Sequence, residues 1–142
     1  MNNYAGLVTR ALAFAIDAAI VDLTGIAVGV VVGLALSVLN TPDDVDKALL
    51  AAGGVIFVLW TVGYFVVFWS ATGETPGDRV MRIRVECRDG RTLTRRTAAL
   101  RLVALGLAAI PLLAGFVPVL FDRHRRALQD FVARSVVVRV PG

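Results

Sequence analysis

The hydrophobic positions of the chain fall into three long blocks separated by polar segments. The first block covers 10–39 and the second 48–71, and each is longer than the roughly 18 apolar residues with which a helix crosses a bilayer. The third block, 98–121, contains Pro111 and Pro118, which kink or break helices. The pattern predicts an all-α membrane protein with two crossings and a broken third block that either crosses once or returns as a hairpin.

The polar segment after the second block has a different period. Over 81–88, apolar side chains alternate with charged ones, which is typical of a strand with one buried face. Asp89-Gly90 predicts a hairpin turn, 92–94 a returning strand, and 135–140 a further strand. Because a lone strand is not stable, we expect these pieces to form a small cytoplasmic β element at the membrane surface.

Composition and charge support a membrane location and suggest an orientation. Hydrophobic residues make up 57% of the chain and charged residues 18%, against about 45–50% apolar in soluble domains. The loop 72–97 holds seven arginines, whereas 40–47 holds one lysine and three aspartates. Because basic loops mark the cytoplasmic side, we expect a multi-pass protein with the N-terminus and 72–97 inside. All but one of the 15 basic residues are arginine, which suggests a GC-rich bacterial genome and therefore the bacterial inner membrane. The whole chain, 1–142, is expected to be one domain, and the side of the tail 122–142 depends on the third block.

Residues that support common enzymatic chemistry are scarce. Cys87 and His124 are the single cysteine and histidine, so the usual Cys/His metal cluster and an intrachain disulfide are both excluded. Neither a GxSxG elbow nor a nucleotide-binding glycine loop occurs. We therefore expect a non-enzymatic protein with no catalytic residue, cofactor or metal, and no nucleic-acid partner.

The first block carries charges where a membrane helix should have none. Arg10 and Asp17 project from nearly the same helical face, whereas Asp22 faces elsewhere. A charge at mid-bilayer costs about 2.5–3.5 kcal/mol, so these groups should face a partner or a cavity. Either a structural ion-pair cluster or a titratable carboxylate pathway fits them. Steps of four from Asp17 reach a smooth strip suited to close helix contact, and we call its residues, Gly25, Gly29 and Gly33, the glycine seam.

Arginines are concentrated in the polar segment and in the tail. Beside a membrane, each arginine contributes about 1 kcal/mol to contact with anionic headgroups, and the alternative is a topology signal on a solvated surface. The predicted basic membrane-surface patch comprises Arg79, Arg82, Arg84, Arg88, Arg123, Arg125 and Arg126.

Four stretches together resemble the RDD family of small bacterial membrane proteins. They are VTRALAFAIDAAI, GETPGDRVMRIRVECRDGRTLT, the start of the third block at Arg101, and FDRHRRALQDFVARSVVVRV. The resemblance implies that Arg10, Asp17 and Asp130 are the family's arginine and two aspartates. Gln129 stands where the family often has histidine, which argues against a proton relay through that position. Some members of the family resemble cation/proton antiporters.

Two principal hypotheses for function result. The first is a small accessory subunit that packs against a larger membrane assembly, with a multisubunit lipid transporter of the cell envelope as a candidate host. Its partners would be other integral membrane subunits or further copies of the chain, together with anionic lipid headgroups. The second is a homo-oligomeric cation/proton antiporter that uses Asp17, and a third, weaker hypothesis is a membrane regulator that binds lipid headgroups.

Overall fold

Two long apolar helices dominate the computed structural model, which describes residues 4–39, 42–109 and 126–141. Helix α1 spans Leu7–Leu39 and helix α2 spans Asp43–Ala71, with mean hydropathies of 2.3 and 2.1 in their most apolar windows. Both are long and apolar enough to cross a membrane, as predicted. Helix α2 begins before its apolar block because three aspartates in its first turn complement the helix dipole.

Shorter elements follow α2, in the order α3 (Pro76–Val80), β1 (Ile83–Cys87), α4 (Arg95–Ala109), α5 (Leu128–Val132) and β2 (Ser135–Arg139). The two strands pair antiparallel, with Val85 opposite Val137. The pairing of β1 with the C-terminal strand β2 confirms the predicted small β element. The rest of the third apolar block lies outside the described residues, including both prolines, so its crossing or return stays a prediction.

The returning strand predicted at 92–94 is wrong. Asp89-Gly90 does form a turn, in which Gly90 has a φ of 78° and the Cys87 N–H donates to the Arg91 carbonyl at 2.8 Å. Both edges of β1 are then already occupied, because β2 pairs with one and the Gly73 carbonyl accepts from the Val85 N–H at 2.8 Å on the other.

The core lies where the sheet meets the ends of the long helices. The sheet contributes Ile83, Val85 and Val137, and α2 contributes Phe65 and Trp69. Away from this core, α1 and α2 expose large apolar side chains along most of their length, a surface suited to lipid rather than to water. The sheet and the short helices therefore form a compact unit at one end of the two long apolar helices, and we call this unit the head.

The head contains two copies of one local arrangement of helix, turn and strand. In each, an arginine with positive φ lies two residues after the end of a one-turn helix, and a five-residue strand begins at the next residue. The first unit covers 75–87 and the second 127–139, so each position recurs after 52 residues. Matched positions include Asp78 and Asp130, Arg82 and Arg134, and Val85 and Val137. Since Val85 and Val137 are also directly opposite in the sheet, the two units are related by an approximate two-fold axis through that pair.

Candidate functional site

The carboxylate of Asp17 is buried in the head, and three neutral donors bind it. Tyr64 donates its hydroxyl to Oδ1 at 2.9 Å, the Gly77 N–H donates to the same oxygen at 2.8 Å, and the Thr75 hydroxyl donates to Oδ2. These donors come from α2 and from the turn that starts α3. Asp17 therefore ties α1 to both of those elements.

Gly77 lets the turn approach α1 this closely. A Cβ atom at this position would lie 2.1 Å from the Ala13 carbonyl oxygen and 2.8 Å from the Asp17 carboxylate. The preceding residues supply the rest of the local geometry, because Pro76 starts the helix and Thr75 caps it, with Asp78 completing a capping box. The sequence Thr-Pro-Gly-Asp thus encodes a docking turn for the buried carboxylate.

The second buried carboxylate, Asp130 on α5, is bound by cations. Arg10 from α1 and Arg101 from α4 each form an ion pair with it, one on each oxygen. Arg101 also donates to the Ser135 hydroxyl at 2.8 Å, and the Ala127 N–H donates to Asp130 Oδ2 at 2.9 Å. Asp130 thereby joins the first helix, the third apolar block and the C-terminal strand.

A third carboxylate, Asp78, connects the two sites. It accepts from the Thr75 N–H at 3.2 Å and from the Trp69 indole N–H at 3.3 Å. The guanidinium of Arg101 lies over the same indole ring, 5.0 Å from its centroid, which is a cation–π contact. A continuous chain of polar contacts therefore runs from Asp17 through Thr75, Asp78 and Trp69 to Arg101 and Asp130.

A cavity of about 40 Å³ lies inside this network. Two of its lining side chains, Arg101 and Gln129, are almost fully buried, and Arg101 Nε and Gln129 Oε1 have no hydrogen-bond partner among the described residues. The volume and polarity suit ordered water, which can accept from Nε–H and donate to Oε1. Within the described ranges, no three histidine, cysteine, aspartate or glutamate side chains are grouped as metal ligands.

The carboxylates on α3 and α5 differ electrostatically. Burial raises the pKa of Asp78, and the hydrogen bonds from Thr75 offset only part of that rise. Burial acts on Asp130 in the same direction, but the charges of Arg101 and Arg10 outweigh it, so its pKa lies below the usual value. Asp130 is thus held as a charged ion-pair partner, whereas Asp78 is the carboxyl more easily protonated.

The structure brings two of the three predicted cluster residues into contact. Arg10 binds Asp130, while Asp17 is bound separately by Tyr64, Thr75 and Gly77. Asp22 is exposed on α1. Arg10, Asp17 and Asp130 therefore belong to two sites of one network.

The glycine seam is used within the chain at one end. A Cβ at Gly25 would come 2.4 Å from the Phe57 ring, so α2 packs directly against that glycine. Around Gly29 and Gly33, no described atom lies within 4 Å of an added Cβ. The outer two thirds of the seam therefore offer a smooth surface that the described part of this chain does not cover.

The predicted basic patch is divided by acidic partners. Arg84 pairs with Glu74 at 2.6 Å, and Arg79 approaches the same carboxylate at 3.7 Å. Arg82 and Arg88 are exposed, and Arg126 lies over the Phe131 ring. Arg123 and Arg125 lie outside the described residues, as does His124.

Several network residues were not predicted as site residues. These residues are Tyr64, Trp69, Thr75 and Asp78. The capping-box spacing Thr75-x-x-Asp78 was the available signal for the helix start. Nothing local to the sequence indicates that the capping threonine also reaches Asp17, 58 positions earlier.

A family model matches most of the chain. No curated protein and no solved structure matches the chain. The model of the RDD family matches residues 4–134, which include Arg10, Asp17 and Asp130 and both turn–strand units up to Arg134. Since this match covers most of the sequence, the chain belongs to the RDD family, and RDD proteins are membrane proteins.

Proposed function

We propose that this protein is a small, non-enzymatic integral-membrane subunit that packs against a larger membrane assembly. The observation that carries the proposal is that two buried carboxylates, Asp17 and Asp130, each have several hydrogen-bond or ion-pair partners. Asp17 has three donors, and Asp130 has two guanidinium partners and a backbone N–H. Buried groups with complete partners hold elements in place, and they offer no activated nucleophile or base to a substrate.

The long helices supply the surface for such packing. Without a hydrophobic driving force in lipid, helices associate through small residues that allow close backbone approach. Gly29 and Gly33 on α1 provide this feature beyond the contact of Gly25 with Phe57. We propose that this open part of the glycine seam contacts a helix of another subunit, with a multisubunit lipid transporter of the cell envelope as the candidate host.

A pull-down in mild detergent, followed by mass spectrometry, tests this role. The wild-type chain should recover other integral membrane proteins, and replacing Gly29 and Gly33 together by leucine should remove them. Replacing Gly53 and Gly54, which also have open space on α2, is the matched control and should leave recovery intact. Recovery of the chain alone, as a monomer with normal envelope transport in cells, would overturn the proposal.

One observation supports a second function, a homo-oligomeric cation/proton antiporter. The cavity is lined by Asp17 and Asp78 together with Arg10 and Arg101, and the network holds three carboxylates against two guanidinium groups. One extra proton would neutralise this set. Arg10 and Arg101 weigh against a bound metal cation, because their charges repel it.

Proteoliposomes separate the two functions. An antiporter should show sodium-driven proton movement that Asp17→Asn abolishes, while Asp22→Asn, which changes an exposed carboxylate on the same helix, should preserve it. Well-folded wild-type protein with no proton movement excludes the antiporter and leaves the subunit proposal standing.

A further inference from the structure

A second, larger concavity lies on the outer face of the head. This groove has a volume of about 800 Å³ and is formed by the turn after β1, the start of α4, and α5 with the residues on either side of it. We call it the α4–α5 groove, and its principal lining residues are Arg88, Leu100, Arg126, Phe131, Val132 and Arg134. Its size is within the range of about 300–1,000 Å³ typical of small-molecule sites.

The groove has an excess of positive charge. Arg88 and Arg134 are exposed and have no ion-pair partner among the described residues. Both carboxylates in its lining are already engaged, since Asp89 pairs with Arg91 and Asp130 with the buried arginines. The complementary ligand group is therefore an anion.

The backbone at Arg134 is strained, as it is at the matched Arg82 of the first unit. Arg134 has a φ of 49°, in the left-handed region where glycine or asparagine costs less. Non-glycine residues in this region concentrate at ligand clamps and other functional sites, where the surrounding structure holds them.

The other lining of the groove is apolar and continues along α4. Leu100, Phe131 and Val132 line the groove, and each is about half exposed. Beyond Leu100, the exposed residues Val103 and Leu107 follow at three and seven positions, so they continue the same helical face. A charged rim thus leads into an apolar track, which matches a molecule with an anionic head and a hydrocarbon chain.

We propose that the α4–α5 groove binds one anionic phospholipid of the membrane. The phosphate lies against Arg88 and Arg134, and an acyl chain follows Leu100, Val103 and Leu107. The inference deepens the lipid contact expected of the basic patch and shifts it from Arg79 and Arg84, which Glu74 engages, to this groove. It is independent of the host assembly, so a failed pull-down would leave it intact.

Native mass spectrometry of the full chain in mild detergent tests the site. The protein is mixed with equal amounts of phosphatidylglycerol and phosphatidylcholine, and retained lipid is counted. Wild type should retain one phosphatidylglycerol, and Arg88→Gln with Arg134→Gln should weaken retention about thirtyfold, at the usual contribution per arginine near a membrane. Arg95→Gln with Arg96→Gln removes the same charge from exposed residues of α4 outside the groove lining and should change retention little.

A further variant tests the apolar track without changing charge. Leu100→Trp fills the groove and should abolish retention of phosphatidylglycerol, and glycerol phosphate without acyl chains should not displace the lipid. Three results would each overturn the proposal: equal losses in the two arginine pairs, retention that ignores the headgroup, or unchanged binding in Leu100→Trp. The first would assign the effect to diffuse attraction of a basic surface.

Discussion

The two turn–strand units of the head share a backbone plan but stabilise their carboxylates in opposite ways. Asp78 receives hydrogen bonds from Thr75 and from the Trp69 indole, whereas Asp130 binds the guanidinium groups of Arg10 and Arg101. In both units, a backbone N–H three residues earlier donates to the carboxylate. The local backbone arrangement therefore fixes the position of each carboxylate, and side chains from the helices packed around it determine its charge state.

Because of this difference, the two units have different structural roles. The second unit anchors the fold, because its carboxylate holds α1 and α4 through ion pairs. The first unit places its capping threonine against Asp17, so it binds α1 through neutral hydrogen bonds. A protein with one charged anchor and one neutral docking turn can tolerate changes at the turn that it cannot tolerate at the anchor.

The largest expected effect separates the two aspartates. Asp130→Asn leaves two buried guanidinium groups without their counter-charge, which should cost about 3–5 kcal/mol of unfolding free energy. Asp78→Asn should cost much less, about 1 kcal/mol, because an amide oxygen still accepts one neutral hydrogen bond. Denaturant titration in detergent measures both values, with Asp89→Asn at an exposed ion pair as a near-silent control. Equal costs at Asp78 and Asp130 would contradict the assignment of the anchor.

The sequence was informative where the signal is local. Hydropathy located α1 and α2, and the period of two located β1 together with its turn, because these patterns depend on neighbouring residues. The strand that pairs with β1 could not be predicted in this way, because strand pairing depends on which distant segments reach the edges of β1. Thr92 to Thr94 had the right composition, but β2 pairs with one edge of β1 and the Gly73 carbonyl accepts from the Val85 N–H on the other.

Long-range polar contacts were the least accessible part. Arg10 and Asp130 are 120 positions apart. The apolar block singled out Arg10, but only the resemblance to the family associated it with Asp130. Tyr64 shows that a local pattern can also hide a polar contact. Its four-residue spacing from Trp60 and Phe68 is a packing pattern, and its ring does pack against Phe68, but its hydroxyl also binds Asp17. Spacing along one helix identifies a face but not the polar group that meets it.

The next effect tests the neutral docking turn. Thr75→Val keeps the side-chain volume but removes the hydroxyl that donates to Asp17 and accepts from the Asp78 N–H, and it should cost about 1.5–3 kcal/mol. Tyr64→Phe removes a single donor to Asp17 and should cost about 1 kcal/mol. The same titration measures both variants. A Thr75→Val cost no larger than that of Tyr64→Phe would show that the threonine does not link the two sites.

The pH dependence of stability should have opposite signs at the two units. Asp130 has a lowered pKa, so its contribution is present above the unfolded value of about 3.9 and is lost as pH falls through the folded value. Asp78 has a raised pKa, so its ionisation opposes folding as pH rises from about 3.9 through the folded value. Unfolding measured from acid to neutral pH should show the advantage of wild type over Asp130→Asn shrinking in acid. Relative to Asp78→Asn, wild type should gain stability in acid. If the stability differences from wild type changed in the same direction with pH for both variants, the comparison would be contradicted.

The smallest effect concerns the arginines in the turns that follow the two short helices. Arg82 and Arg134 both have positive φ, and glycine at either position relieves a strain of about 1–2 kcal/mol while raising the entropy of the unfolded chain. Each substitution should therefore stabilise the protein by about 0.5–1 kcal/mol in the same titration. The functional outcomes should differ, because Arg134 lines the α4–α5 groove and Arg82 does not. If Arg134→Gly gains stability and loses phosphatidylglycerol while Arg82→Gly gains stability and keeps it, the strained arginine of the second unit is retained for its ligand and not for the fold.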